Sequence, residues 1–95
     1  MAVREIALLT VDVAAAADFE ATFPEAIEIL IASPGCRSAA VTAALDSPGT
    51  YVLEAVWEHL DDHVVAFVAS PAAARLAAGF GRHFVEAPVV IHVAA

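Results

Sequence analysis

Residues 51–58 read YVLEAVWE, and no other stretch of the chain limits its fold as much. Preceded by the turn-forming DSPGT at 46–50, they predict a strand. Side chains alternate across a strand, so Tyr51, Leu53, Ala55 and Trp57 share one face, and Val52, Glu54, Val56 and Glu58 share the other. Both faces carry large apolar groups. A sheet built on this strand needs helices on one side and further cover on the other.

The rest of the chain supplies the helices. REIALLTVDV (4–13) is a short apolar, β-branched run and predicts a first strand. In 14–33, Phe19, Phe23, Ile27 and Leu30 recur at spacings that line one helix face. Pro24 lacks an N–H, so it should kink this helix or start a second one. CRSAAVTAAL (36–45) is alanine-rich, but DSPGT and the strand after it favour a hairpin. Asp61 or Asp62 is placed to cap a helix over roughly 62–69. Ser70-Pro71 then caps and opens another helix, which ends near Gly79 and Gly81. APVVIHVAA (87–95) predicts a last strand. The order βαββαβ implies an α+β, ferredoxin-like, four-stranded antiparallel sheet with both helical regions on one face, as one domain over 1–95.

Composition bears on the uncovered face. The chain has 95 residues, of which 61% are apolar, above the usual ~45–50%. A chain this short buries a modest core, so pairing with a second copy across the bare sheet face is the simplest expectation. Net charge is −8, from twelve acids, four arginines and no lysine. That argues against nucleic acid and anionic membrane surfaces as partners, and excludes Schiff-base chemistry. A single cysteine, Cys36, allows neither a disulfide framework nor a thiolate zinc cluster, and is read as a small buried residue. MAVREIALLTVDV carries acids at Glu5 and Asp12 and has too short an apolar run for a signal peptide, and no run reaches the ~18 residues of a membrane span. A cytoplasmic protein is the default expectation.

Several stretches, in order, carry a family likeness: FEATFPEAI, then PG, then PGTYVLEAVWE, then His63, Phe67 and Ser70-Pro71 at their spacing, then APVVIH. In these the chain resembles the antibiotic biosynthesis monooxygenase-like proteins, from the first helix to its end. The resemblance implies a dimeric α+β barrel with one pocket per subunit between helices and sheet. The family is mixed in activity. Some members oxidise phenolic or hydroxyquinone-type polyketides with O₂ and neither metal nor flavin; others degrade haem or act on autoinducer or quinol compounds. The histidine that binds haem iron in such relatives aligns near Ala77 here, which speaks against haem. Arginines of similar relatives align with Val68 and Ala77.

The candidate site residues cluster around WEHLDDHVVAFVASP (57–71). Trp57 lies on the Tyr51 face, as core or as a pocket wall that stacks on an aromatic substrate. His63, in the first turn of its predicted helix, is solvated, or hydrogen-bonded to Asp61 or Glu58, or a general base. Histidine titrates near neutrality and a carboxylate can fix its tautomer, and the resemblance places a histidine here. His92, in an apolar strand, is a satisfied core residue or, if it points to the helix side, a partner of His63. His59 and His83 read as surface residues. Tyr51 is a possible donor to a substrate oxygen, and Leu53, Phe67 and Phe80 are expected to line the cavity. Arg82 offsets the dipole at a helix end. No metal site is expected, since the spacings 59/63 and 83/92 match no closed ligand set, and no phosphate loop or nucleophile elbow is present.

These residues lead to a cofactor-free monooxygenase acting on an aromatic, phenol-like molecule. His63, then His92, would be the base, in a homodimer needing no cofactor. The alternatives are a non-catalytic small-molecule-binding or stress-related dimer, and an isomerase, dehydratase or cyclase on a similar substrate.

Overall fold

The computed structural model describes residues 1–95. Four strands, β1 (Val3–Thr10), β2 (Cys36–Ala43), β3 (Thr50–Trp57) and β4 (Val89–Ala94), form one antiparallel sheet in the order β2-β3-β1-β4. This is the ferredoxin-like arrangement expected of βαββαβ. The helices α1 (Ala16–Glu20), α2 (Phe23–Ile31) and α3 (Pro71–Gly79) connect them.

Local chemistry sets the boundaries. β1 ends earlier than the predicted 13 because the Asp12 carboxylate accepts the Ala14 N–H at 3.0 Å and caps a 3₁₀ turn, Val13–Ala15. The helical stretch expected over 14–33 is divided, and the second helix opens at Phe23-Pro24, one of the two outcomes expected there. Pro24 stands in the first turn of α2, where its missing N–H costs nothing. The division turns the buried face of α2 to Ala26, Ile29 and Leu30, and leaves Ile27 only half-buried. Ser70 caps α3, its Oγ accepting the Ala73 N–H at 3.3 Å. β4 begins only after Pro88, which has no N–H for the ladder.

The stretch expected as a helix over 62–69 is instead a π-helical turn, Asp62–Phe67, closed by the Val68 N–H donating to His63 O at 3.3 Å. Neither aspartate caps it. The Asp62 carboxylate reaches back to accept the His59 N–H at 3.0 Å, and it packs against Gly35. Gly35 has φ 86°, and a Cβ there would collide with that carboxylate. The glycine therefore lets the π turn sit close to the β2 end, which fixes where His63 enters.

The sheet has two unlike faces. On the helix side, Ala7, Leu9, Leu53 and Trp57 are buried against Phe19 and Leu30. Trp57 and Phe19 are fully enclosed, and each removes ~150–250 Å² from water, worth about 4–6 kcal/mol at ~25 cal/mol/Å². The other face is bare. Leu8 is 47% exposed, Val89 62% and Ile91 54%, and the register sets Leu8 beside Val52 and Val89, and Ile6 beside Ile91. No helix is long and apolar enough to cross a membrane.

Candidate active site

Strand parity builds the site. Glu5 shares its face of β1 with Ala7 and Leu9, so its carboxylate points into the helix-side interior, where it is 4% exposed. Glu5 lies opposite Ala55 on β3 and opposite His92 on β4. His92 therefore points to the helix side. The Trp57 Nε1–H donates to Glu5 Oε1 at 3.0 Å. The π turn brings His63 down onto this pair. Its Nε2 lies 3.4 Å from Glu5 Oε1, its Nδ1 lies 2.8 Å from His92 Nε2, and its ring stacks on the Trp57 ring with centroids 5.1 Å apart. Phe67 closes the cluster, 5.5 Å from the Trp57 ring.

Burial raises the Glu5 pKa above the usual carboxylate value, opposed by the Trp57 hydrogen bond and the charge of His92. Burial, and then the charge of His92, lowers His63 to about 4. Although Glu5 and His63 stand within ion-pair distance, desolvation outweighs their attraction and His63 is neutral at pH 7. Two proton arrangements suit the geometry. Either His63 Nε2–H faces Glu5 while Nδ1 accepts from His92, or Nδ1–H donates to His92 and Nε2 offers a lone pair to Glu5.

Glu5 also reaches a cavity of about 400 Å³ between the sheet, α3 and the segment leading into β4. Its walls are mostly apolar, with Leu53, Leu76, Phe80 and Val90 among them, and its only charged groups are Glu5 and Arg82. Of the residues named from sequence, Leu53 and Phe80 line this cavity. His63, His92, Trp57 and Phe67 form the cluster behind its wall, joined to it through Glu5. Tyr51 lies apart from both. Its hydroxyl donates to Glu20 Oε2 at 2.6 Å, and that bond, with burial, pushes its pKa up to about 12. His59 is exposed. His83, expected at the surface, is half-buried instead. The 3₁₀ turn Gly81–His83 folds its ring toward Phe19, 5.6 Å away, and encloses Nε2 without a partner. Cys36 is half-buried and free. No three His, Cys, Asp or Glu side chains converge as metal ligands.

Glu5 is the residue that sequence reasoning missed. The signal was present, because Glu5, Ala7, Leu9 and Val11 share one parity, and an acid in an otherwise apolar series faces the core.

The sequence profile described as antibiotic biosynthesis monooxygenase matches residues 2–79. The chain belongs to that family. A Bordetella bronchiseptica protein assigned to antibiotic biosynthesis monooxygenases is 31% identical, with a TM-score of 0.93 over 99% of this chain and 96% of that one. A Caulobacter crescentus protein of the same assignment is 23% identical, with a TM-score of 0.82 over 99% and 89%. SnoaB, a cofactor-independent oxygenase from Streptomyces nogalater, shares the fold at 23% identity, with a TM-score of 0.81 over 99% and 92%. No curated protein matches the sequence. Family membership covers the strands and helices that carry Glu5, Trp57 and His63, but the matched residues stop short of Arg82 and His92.

Proposed function

We propose that this chain is a cofactor-independent monooxygenase that binds a phenol-like aromatic molecule in the cavity beside Glu5 and oxidises it with O₂. One observation carries the reading. A buried glutamate borders an apolar cavity on one side, and its carboxylate faces a neutral His63, itself hydrogen-bonded to His92, on the other. The fold shared with a cofactor-independent oxygenase supports it.

In this mechanism Glu5, with its raised pKa, takes a proton from the substrate, a hydroxyanthrone or related phenol. The protonated carboxyl then donates a hydrogen bond to the developing oxyanion. The carbanion passes one electron to O₂, and the radical pair closes a C–O bond to give a peroxide, which takes up a proton. Loss of the second C–H proton and cleavage of O–O leave a carbonyl and release water. A CH₂ group and O₂ thus become C=O and H₂O. Leu53, Phe80 and the other apolar walls give O₂ an apolar site beside the carbanion. His63 serves as relay rather than terminal base. Its Nε2 takes the Glu5 proton while its Nδ1–H passes to His92, and the reverse transfer returns that proton through Glu5 to the peroxide, so His63 need not hold a charge that its burial disfavours.

The same reading pairs two copies across the bare sheet face, in a family whose domains are typically dimeric. Sedimentation should give a dimer at micromolar concentration, and Ile91→Glu should give a monomer. A wild-type monomer would remove this part of the proposal.

The decisive experiment is oxygen uptake by metal-stripped protein with a panel of hydroxyanthrones and quinols, against Glu5→Gln and His63→Ala controls. Uptake above the buffer rate, reduced in both variants, is expected. Saturable binding without uptake would refute the oxygenase reading in favour of a binding protein, and release of an isomeric product without O₂ consumption would favour an isomerase.

A further inference from the structure

The four arginines are not used alike. Arg4 is held by Glu54 at 3.4 Å and Arg37 by Glu58 at 2.6 Å. Arg75 and Arg82 contact no carboxylate, although the chain has twelve acids. Of these two only Arg82 lines the cavity that Glu5 reaches. It also borders a smaller cleft of about 160 Å³ beside Glu25 and Arg75, without forming an ion pair there. Arg82 follows Gly81 on the 3₁₀ turn after α3, so the chain places a free guanidinium at the cavity of a domain with net charge −8.

The remaining lining is apolar or backbone-like, with Leu53, Phe80, Phe84 and Val90 among it. An apolar cleft with one buried carboxylate and one exposed guanidinium specifies a ligand by two polar points on a hydrophobic body. The carboxylate suits a hydroxyl donor. The guanidinium suits an oxyanion, which it can hold with two parallel hydrogen bonds. The field of an acidic protein repels an anion at long range, so a local cation is what would admit one. We infer that the cavity takes an anionic aromatic ligand, a phenol bearing a carboxylate, with its ring hydroxyl at Glu5 and its carboxylate on Arg82. This rests on reading the cavity as the substrate site.

Arg82 has a competing structural role, since a cation just beyond α3 opposes the helix dipole. That role would not distinguish one ligand from another. The test uses 6-hydroxy-2-naphthoic acid and its methyl ester, which differ only in the charge at one end. Binding is followed by fluorescence of Trp57, the only tryptophan and a hydrogen-bond partner of Glu5, and repeated by calorimetry. Wild-type protein should bind the acid ~10-fold or more tighter than the ester, as charge-assisted hydrogen bonds allow. Arg82→Gln should remove the preference with ester binding kept, Arg82→Lys should restore part of it, and Arg75→Gln should leave it intact. Raising the salt concentration should weaken binding of the acid alone. Equal binding of acid and ester by wild-type protein, or a preference that survives Arg82→Gln, would overturn the inference. Binding needs no turnover, so a preference for the acid without oxygen uptake would sustain this inference while refuting the oxygenase. Failure of both compounds to bind would overturn it together with the reading of the cavity.

Discussion

Neutral His63 has a consequence for stability that a titration can read. Its ordinary value of 6.5 falls to about 4 in the fold, because burial and then the charge of His92 penalise the imidazolium. Between those values the unfolded chain carries the proton and the folded chain does not. His63 therefore contributes stability that is present above 6.5 and lost as pH falls toward 4. Each pH unit in the window is worth ~1.4 kcal/mol, so acidification from pH 7 to 5 should cost the fold about 2 kcal/mol through this residue alone. That is a large share of the ~5–15 kcal/mol typical of a domain. Glu5 acts with the opposite sign. Its raised pKa gives stability that is fully present below 4.5 and lost as pH rises through its folded value, so acidification returns some of the loss. The measurement is therefore a difference, between urea unfolding of wild type and of His63→Gln at pH 7 and pH 5, with the His63 ring followed by NMR. Wild type should lose about 2 kcal/mol more than the variant over that interval. A His63 ring titrating near its ordinary value, or equal losses in the two proteins, would refute the reasoning.

Glu5→Gln should cut turnover by ~10²-fold or more and raise the thermal midpoint at pH 7, since an amide avoids the cost of the buried carboxylate; oxygen uptake and calorimetry read the two effects. In wild type, the acid limb of kcat/KM should lie above the ordinary carboxylate range, following the raised Glu5. Tyr51→Phe should cost about 1 kcal/mol through loss of the 2.6 Å bond to Glu20, and should leave turnover unchanged because that hydroxyl is not at the cavity. Phe19→Ala should cost ~3–5 kcal/mol in urea unfolding, because the ring is fully enclosed and touches Phe23, Tyr51 and Phe80.

What the sequence revealed depended on how local the cause was. Alternation in YVLEAVWE placed Tyr51, Leu53 and Trp57 on the buried face, and Ser70-Pro71 marked the start of α3, because both signals lie within a few residues. The π turn was not legible, since its register depends on Asp62 packing against Gly35, twenty-seven positions away. His92 was legible as a chemical group but not in direction, which the pairing of β4 with Glu5 on β1 decides. Tyr51 looked free to serve a ligand because Glu20, its partner, lies on α1 and gives no hint of the contact in sequence. The cavity was only half foreseen. Leu53 and Phe80 stood out as bulky apolar residues, whereas Glu5 was weighed only as an acid that interrupts the first apolar run.

Glu5 is also where stability and the proposed function part. Ala7, Leu9 and Val11 share its parity and are all buried, so an apolar side chain at position 5 would suit packing better than a carboxylate does. His63 and His92 repeat the conflict, each bringing a titratable ring to the same interior spot from a different element. A core that needed only to hold together would satisfy a lone buried acid and stop there. Here the acid keeps access to a cavity, and the histidine behind it is held neutral, able to pass a proton between its two ring nitrogens without storing charge. Trp57 ties these roles together, fixing the carboxylate through Nε1 and the imidazole through its face, so a fully enclosed core residue also orients the cluster that weakens the core.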